Sequence, residues 1–304
     1  MSGRARVSRR RAVLLTVLLL SFLVLLAALL RDVGCADARP EMVLPSPDMS
    51  AFTTRSPGCG KAPPVKNGVL VATKSDRTFR VYAPKAYDPS IAYPVLFAYH
   101  GIDSNSGAFK AWFRMEDHVN GEAVVVYPDA RRTSYGGTAW DLTGERDATA
   151  FDEMRSAIAA AWCIDLTHVY AMGFSFGGKF VTTLACKRPG VLRAIDSNDA
   201  DWGAVDAKSC AALPVLVTHR TNDPDQPIEW GRASAETWAR IDGCDDAKST
   251  RTTDDAHGCV DYVGCKKQVT FCEDRYVNKD WPKAWNHTMR EEYRDLAWKW
   301  LREK

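Results

Sequence analysis

The chain has 304 residues, of which 46% are hydrophobic and 26% charged, a composition typical of a globular protein with a sizeable core. Low-complexity, collagen-like and wholly disordered chains are therefore excluded. The formal charge is only +2, and six arginines within the first 34 residues leave the remainder slightly acidic. Because no basic excess is available to neutralise phosphates, we expect no nucleic-acid partner.

The first predicted element is an export signal. Residues Ala12–Leu30 are apolar apart from Thr16 and Ser21, and they follow a cluster of arginines that partly resembles a twin-arginine signal. A run of this length suits either a cleavable signal or a spanning helix, which needs about 20 apolar residues. We expect residues 1–34 to be cleaved or kept as an anchor, with lipidation of Cys35 a weaker alternative. The protein is then exported, secreted or anchored in the cell envelope, and it meets a membrane only through this segment.

The remaining cysteines are even in number, which favours disulfides in an exported chain. A zinc site is the alternative, but no Cys-x-x-Cys pair occurs, and we expect neither a metal nor a cofactor. Spacing alone does not choose among the possible pairings. The eight cysteines are Cys59, Cys163, Cys186, Cys210, Cys244, Cys259, Cys265 and Cys272.

A Pro-, Ser- and Gly-rich stretch predicts a linker over residues 35–55, followed by one domain over residues 56–304. Strands and helices alternate in the domain, and the strand segments are almost wholly apolar, which predicts a mostly parallel sheet with helices on both faces. Strands are predicted at Thr78–Tyr82, Val95–Tyr99, Ala123–Tyr127, Val169–Gly173, Leu192–Ile195, Val215–Thr218 and Gln268–Phe271. Helices are predicted at Ala148–Trp162, Gly178–Ala185, Ile228–Ile241 and Thr288–Leu301.

A Gly-x-Ser-x-Gly segment joins one of these strands to the next helix. It reads Gly173-Phe174-Ser175-Phe176-Gly177. The bare pattern occurs in many loops, but between a strand and a helix it is typical of a nucleophile elbow, a turn too tight for side chains at the two glycines. We therefore predict Ser175 as a catalytic nucleophile.

In such a fold the acid and then the histidine follow the nucleophile along the chain. Asp223 comes shortly after a predicted strand, where a carboxylate can orient an imidazole, and is the predicted acid. Asp225 is a near competitor, and an Asp-Pro turn is the structural alternative. Another strand ends at His100-Gly101-Ile102, so the backbone N–H groups of Ile102 and Phe176 are predicted to hold the oxyanion.

Several further segments carry a family resemblance over residues 58–304. They are Gly58-Cys59-Gly60-Lys61, Arg80-Val81-Tyr82-Ala83-Pro84, the run from Tyr93 to Gly101, Tyr127-Pro128, Ala139-Trp140-Asp141, and Trp162-Cys163-Ile164-Asp165 leading into the elbow. Together they resemble the secreted esterases that include polyhydroxybutyrate depolymerases and feruloyl and acetylxylan esterases. The resemblance implies a disulfide-stapled α/β-hydrolase fold. It also implies Cys259–Cys265 and Cys244–Cys272 pairs.

The chain departs from that family at the catalytic histidine. Where the family carries Gly-His-x-Trp-Pro, this chain has Lys279 in place of the histidine. A lysine ammonium has no lone pair with which to act as a base near neutral pH. Only His257 and His287 follow Asp223, and His257 lies beside a cysteine in a presumed disulfide loop. His287 is the predicted replacement, with a polar helix start as the structural alternative.

The second departure is an aspartate-rich segment, Asp196 to Asp201, where the family has a small and mostly apolar loop. A solvated loop is the favoured interpretation, and a pocket for a polar or cationic group is the alternative. A calcium site is weaker still, because the Gly and Glu of a calcium loop are missing.

These patterns predict an exported, monomeric serine carboxylesterase. The resemblance implies feruloyl or acetyl esters of plant polysaccharide as substrates, and a polyhydroxybutyrate depolymerase-like esterase is the alternative. Lys279 motivates a second class of function, an inactive hydrolase that binds ligands at the cell surface. A peptidase with the same triad is a third possibility.

Overall fold

The computed structural model describes residues 42–43 and 54–304, apart from residues 135, 247–249, 255, 278 and 281. The predicted leader, Cys35 and nearly all of the predicted linker lie outside this part. No helix among the described residues is long and apolar enough to cross a membrane. The predicted boundaries at residues 34 and 55 stay predictions.

Strands and helices alternate through most of the domain. The strands are β1 (Met42–Val43), β2 (Leu70–Ala72), β3 (Thr78–Tyr82), β4 (Tyr93–Tyr99), β5 (Val124–Pro128), β6 (Arg131–Arg132), β7 (Thr138–Ala139), β8 (Ile164–Phe174), β9 (Ala194–Asn198), β10 (Val215–Arg220), β11 (Thr250–Asp254), β12 (Cys259–Tyr262) and β13 (Val269–Asp274). The helices are α1 (Ser106–Phe113), α2 (Met115–His118), α3 (Arg146–Ala161), α4 (Phe176–Lys187), α5 (Ile228–Ile241) and α6 (Glu291–Arg302). Short 3-10 helices span Ala207–Ser209 and Lys283–Asn286.

The sheet has 11 strands in the order β1-β2-β3-β5-β4-β8-β9-β10-β13-β12-β11. Its central strands, from β5 to β13 in that order, are all parallel. The margins are antiparallel at β2-β3-β5 and β13-β12-β11, and β1 runs parallel to β2. Parallel neighbours require crossover connections, and these crossovers bring the helices onto the faces of the sheet.

Both faces of the sheet are covered by helices. Phe151 of α3, Phe180 of α4 and Trp238 of α5 are fully buried on one face. Phe113 of α1 and Trp298 of α6 are buried on the other. The central strands are therefore apolar on both sides, which confirms the predicted parallel sheet with helices on both faces.

Every predicted strand and helix is present within a few residues, and α5 has the predicted bounds. The sequence patterns missed the helices α1 and α2, the short strands β1, β2, β6 and β7, and the β11–β12 hairpin. Helix α1 has only eight residues, so its apolar periodicity is short. Its clearest signal is the cap, since Asn105 Oδ1 accepts hydrogen bonds from the N–H groups of Gly107 and Ala108, both at 3.0 Å.

All eight cysteines of the domain form disulfides, as expected for an oxidising compartment. The pairs are Cys59–Cys163, Cys186–Cys210, Cys244–Cys265 and Cys259–Cys272.

The two pairings implied by the family resemblance, Cys259–Cys265 and Cys244–Cys272, are wrong. Cys259 on β12 lies directly opposite Cys272 on β13 in the antiparallel ladder, with their Cα atoms 3.9 Å apart. Cys265 follows β12 and meets Cys244, which follows α5. Strand register therefore decides the connectivity, and spacing along the chain does not reveal it.

We expect the long-range disulfide to contribute most to stability. Replacing Cys59 and Cys163 by Ala should lower the free energy of unfolding by about 4 to 5 kcal/mol, because the bond closes a loop of about 100 residues in the unfolded chain. Replacing Cys259 and Cys272 should cost about 3 kcal/mol, because that loop is short. Urea unfolding of both double variants measures the difference, and a reversed order would contradict the loop-entropy explanation.

Candidate active site

Ser175 lies on a tight turn between β8 and α4, with φ +56° and ψ −121°. A Cβ atom added at Gly173 would lie 2.2 Å from the Gly177 carbonyl oxygen, and one added at Gly177 would lie 2.2 Å from the carbonyl oxygen of Tyr99. Only glycine fits at these two positions. The turn therefore has the geometry of a nucleophile elbow, as the sequence predicts.

Hydrogen bonds from neighbouring elements hold the backbone of Ser175. Its N–H donates to the Asn198 carbonyl at the end of β9, at 2.9 Å. Its carbonyl accepts from the N–H groups of Gly178 and Lys179 in the first turn of α4. The Ser175 side chain does not cap the helix, so its Oγ is not engaged by the helix N-terminus.

Asp223 follows β10 and its carboxylate is completely buried. Oδ1 accepts hydrogen bonds from the N–H groups of Asp225 and Gln226, at 2.8 and 2.9 Å. Oδ2 accepts from Nδ1 of His287 at 2.6 Å. Asp225 has an exposed side chain and contributes its backbone instead. Three donors therefore converge on the Asp223 carboxylate and hold it in place.

His287 lies between the last 3-10 helix and α6, and its imidazole packs against the ring of Phe174 with 4.6 Å between centroids. The bond to Asp223 places the ring proton on Nδ1, which leaves a lone pair on Nε2. Within the part of the chain that the structure describes, Ser175 Oγ makes no hydrogen bond to His287. Such bonds are often long before a substrate binds. The structure thus brings Asp223 and His287 together beside the residue that precedes Ser175.

The other candidates for the base lie elsewhere. His257 is held by Asp254 at 2.6 Å, in the turn between β11 and β12. Lys279 is exposed.

Ile102 and Phe176 lie on the two turns that meet at the nucleophile. A Cβ atom added at Gly101, next to Ile102, would lie 3.4 Å from the Cβ of Ser175. Among the described contacts, neither the Ile102 nor the Phe176 N–H donates to another backbone group. Both amides are therefore available to an oxyanion formed at Ser175.

His100, at the end of β4, holds the peptide unit that precedes Ile102. It is fully buried, and burial lowers its pKa, so it is neutral near pH 7. Nε2 accepts from the N–H of Ala130 at 3.2 Å, and Nδ1 donates to the Gly101 carbonyl at 2.6 Å. That carbonyl belongs to the same peptide unit as the Ile102 N–H. His100 therefore orients the amide expected to face the oxyanion.

The solvated-loop interpretation of the aspartate-rich segment is wrong for two of its three aspartates. Asp196 and Asp199 are 0% and 1% exposed. Asp201 is half-buried and forms an ion pair with Lys179 at 2.9 Å. Its cationic partner is therefore a side chain of the protein itself. The reason is topological, because the segment begins on β9, a central strand covered on both faces.

Among the described residues, Asp199, Asp223 and His287 offer one ligand atom each within 4.8 Å of one another, close enough to share a metal ion. However, the Nδ1 atom of His287 already donates to Asp223. A proton therefore lies between His287 and Asp223, and the arrangement suits an imidazole–carboxylate pair.

Large apolar side chains surround the nucleophile. Trp112 of α1 is 38% exposed and packs edge-on against Phe174, with 4.9 Å between ring centroids. Ile102 is 56% exposed, and Trp230 of α5 is 43% exposed. Lys179 lies 5.9 Å from the ring centroids of both Trp230 and Phe176. These side chains offer an apolar surface of the kind that binds ring-containing ligands.

Known proteins match this chain in sequence and fold. The family model described as "Putative esterase" matches residues 71–295. The "Probable feruloyl esterase C" of Aspergillus terreus is 30% identical over 233 residues, covering 73% of this chain and 83% of that protein. The "Feruloyl esterase C" of Emericella nidulans is 28% identical over 235 residues, covering 73% and 84%. The solved structure of an acetyl xylan esterase from Aspergillus awamori has a TM-score of 0.51 at 14% identity, covering 66% of this chain and 88% of that one.

The chain belongs to this esterase family. Its fold is the α/β-hydrolase fold, as the resemblance implies, and it is a carboxylic ester hydrolase. The family match extends from β2 to the first turns of α6, so it includes the elbow, Asp223 and His287.

The buried carboxyl group of Asp196 should make the stability of the fold depend on pH. Burial raises the pKa of Asp196 to about 8, and the Thr218 hydroxyl at 3.3 Å only partly offsets this. The folded protein therefore keeps the Asp196 proton up to about pH 8, whereas the unfolded chain loses it near pH 4. The free energy of unfolding should fall as pH rises through this window, by up to about 1.4 kcal/mol per pH unit from this group.

An Asp196→Asn variant should lack that part of the slope, because the amide is neutral in both states. Urea unfolding at pH 5, 6.5 and 8, for this variant and for the wild type, measures the contribution. Equal slopes in the two proteins would show that Asp196 is ionised in the folded state.

Proposed function

We propose that the protein hydrolyses feruloyl and acetyl esters of plant polysaccharides through a triad of Ser175, His287 and Asp223. The observation that carries this proposal is the 2.6 Å hydrogen bond from His287 Nδ1 to the buried Asp223 carboxylate, beside the elbow. It answers the difficulty raised by Lys279, because an imidazole reaches the acid from a different position in the chain. An inactive binding protein would have no need of this pair.

The acylation step follows from the geometry. His287 Nε2 takes the proton of Ser175 Oγ while Oγ bonds to the ester carbonyl carbon. The carbonyl oxygen becomes an oxyanion and accepts hydrogen bonds from the Ile102 and Phe176 N–H groups. The C–O bond to the sugar then breaks, and His287 returns the proton to the leaving alkoxide. Asp223 stays ionised and stabilises the imidazolium that forms.

Deacylation repeats these steps with water. His287 removes a proton from the water, whose oxygen attacks the acyl carbon, and the carboxylic acid leaves as Ser175 Oγ regains its proton. No metal or cofactor takes part.

The apolar surface around the elbow supports an aromatic acyl group. A feruloyl ring is flat and apolar with polar substituents at one end, and Trp112, Ile102 and Trp230 are exposed for such a ring. The feruloyl esterase names of the relatives point to the same acyl group.

We further propose that the enzyme acts outside the cytoplasm as a monomer. Four disulfides suit an oxidising compartment, and plant polysaccharide is an extracellular substrate. Residues 1–34 would direct export or provide an anchor, residues 35–55 would be a linker that also contributes the short strand β1 to the sheet, and residues 56–304 would form the esterase domain.

Variants of the triad test the catalytic assignment. With p-nitrophenyl acetate, Ser175→Ala should reduce turnover to background, and His287→Ala and Asp223→Asn should lower kcat by about 10⁴-fold. A fluorophosphonate should add its mass to the wild type but not to Ser175→Ala, and labelling of His287→Ala should be far slower.

Two matched controls address the alternative bases. Lys279→Ala and His257→Ala should retain activity within about two-fold, because the Lys279 side chain is exposed and His257 is paired with Asp254 rather than with Asp223. Loss of activity in Lys279→Ala but not in His287→Ala would contradict the proposed triad. An unlabelled, folded wild type would contradict the proposed role of Ser175 as an activated nucleophile.

A Trp112→Ala variant tests whether the enzyme prefers a feruloyl group to an acetyl group. Trp112→Ala should lower kcat/KM for methyl ferulate by about five-fold more than for methyl acetate, because only the feruloyl group has a ring to pack against the indole. Parallel assays with a 3-hydroxybutyrate oligomer provide the comparison with polyhydroxybutyrate depolymerases. Faster hydrolysis of that oligomer than of methyl ferulate would favour the depolymerase alternative.

A further inference from the structure

Asp199 lies next to the Asp223–His287 pair. It follows β9 directly, and its left-handed backbone, with φ +44°, is a conformation that few residues other than Gly, Asn and Asp adopt readily. One of its carboxyl oxygens lies within 4.8 Å of both an Asp223 oxygen and a His287 ring nitrogen. Two buried carboxyl groups therefore share the surroundings of one imidazole.

The hydrogen bonds distinguish the two carboxyl groups. Asp223 accepts three, from Asp225, Gln226 and His287. Asp199 Oδ1 accepts one, from the N–H of Arg220 at 2.7 Å, and Oδ2 is buried with no partner among the described residues. A buried charge without donors is unfavourable, whereas a protonated oxygen can remain there at lower cost. The negative charge therefore belongs on Asp223.

The surrounding charges agree with this assignment. Asp274 and Arg290 neutralise each other through two hydrogen bonds of 2.8 Å. The Arg220 guanidinium lies in the same group of residues and donates to Asn222 and to the Tyr276 carbonyl. A second carboxylate would leave the cluster with an unbalanced buried charge. The ionisable groups that face Asp199 from β10, β13 and the segment leading into α6 are Asp223, His287, His219, Arg220, Asp274, Arg290 and Tyr293.

We propose that Asp199 is a positioning residue held as a neutral acid beside the Asp223–His287 pair, so that a single negative charge faces the imidazole. When Asp223 loses its charge, Asp199 ionises in its place. This inference rests on the proposed triad and adds to it a third buried residue beside the imidazole. Burial, and then the charge of Asp223, raise the pKa of Asp199 well above its usual range, in the same direction.

The consequence for catalysis concerns the base. Two carboxylates near His287 would favour the imidazolium and remove the lone pair that must accept the Ser175 proton. One carboxylate orients the ring through Nδ1 and leaves Nε2 to accept the Ser175 proton. Asp199 also links β9 to β10, because it binds the Arg220 amide just before the loop that carries Asp223.

A double-mutant cycle on the purified full-length chain tests the charge. Histidine ring signals are followed by NMR over a pH titration, and the His287 signal is assigned by its absence in His287→Gln. In the wild-type background, Asp199→Asn should change the measured pKa of His287 by less than about 0.3 unit. In the Asp223→Asn background, Asp199→Asn should lower the measured pKa of His287 by about one unit or more, as loss of a charge within about 5 Å predicts.

The variant is designed to fold, because Asn tolerates the left-handed backbone and its amide can still accept from Arg220. Asp201→Asn is the matched control from the same segment, and it should shift His287 in neither background. A drop of about one unit from Asp199→Asn in the wild-type background would show that Asp199 is ionised there. If Asp199→Asn lowers the pKa of His287 in neither background, Asp199 does not ionise when Asp223 is neutral. Either result overturns the proposal.

Turnover of p-nitrophenyl acetate gives a separate readout. The double variant Asp199→Asn/Asp223→Asn should be at least about ten-fold slower than Asp223→Asn, because no carboxylate remains for His287. An inactive wild type would refute the proposed function, whereas the NMR titration would still decide the charge of Asp199. The two failures are therefore distinguishable.

Discussion

The hydrogen bond between His287 and Asp223 joins residues that are 64 positions apart, and it depends on the order of the central strands. Asp223 is presented by the loop after β10, which lies between β9 and β13 in the parallel sheet. His287 is held against the same end of the sheet by Arg290, whose guanidinium makes two hydrogen bonds to Asp274 at the end of β13. An ion pair three residues beyond the histidine thus fixes its segment. Because paired geometry of this kind is directional, the imidazole has little freedom to leave the acid.

Backbone contacts impose a second constraint at the elbow. Gly177 approaches the carbonyl oxygen of Tyr99 so closely that no other residue fits, and Gly173 is confined by Gly177 itself. The turn after β8 is therefore pressed against the end of β4, where Gly101 and Ile102 begin the neighbouring loop. His100 then orients the peptide between them through the Gly101 carbonyl. The nucleophile and the two amides of the expected oxyanion site are positioned by packing of the main chain, which makes their geometry independent of flexible side chains.

The elements and residues that follow from local pattern could be predicted from the sequence. Ser175 is marked by glycines that a tight turn requires, and the central strands are marked by runs of buried apolar residues. Asp223 follows from its place after a strand. His287 has no local motif and is predicted only by elimination, because its place beside Asp223 depends on long-range folding and the family resemblance points to the position of Lys279. The family resemblance implies the wrong disulfide pairs for a similar reason, since the register of β12 against β13 is a long-range property. Burial of Asp196 and Asp199 was missed because charged residues usually indicate a solvated loop.

Asp196 and Asp199 are buried where apolar side chains would pack more favourably. Strand β9 lies at the centre of the sheet, yet it ends in Asp196-Ser197-Asn198 followed by Asp199, all of them buried. The Asn198 backbone carbonyl accepts from the Ser175 amide, and the Asp199 side chain accepts from the Arg220 amide. The end of β9 therefore connects the nucleophile to the strand that precedes the acid. An apolar strand end would pack more favourably but could not make the Asp199 side-chain contact or place a second carboxyl group beside His287. Natural proteins break local rules mainly at sites where function requires it, and the end of β9 breaks them beside the nucleophile and the acid.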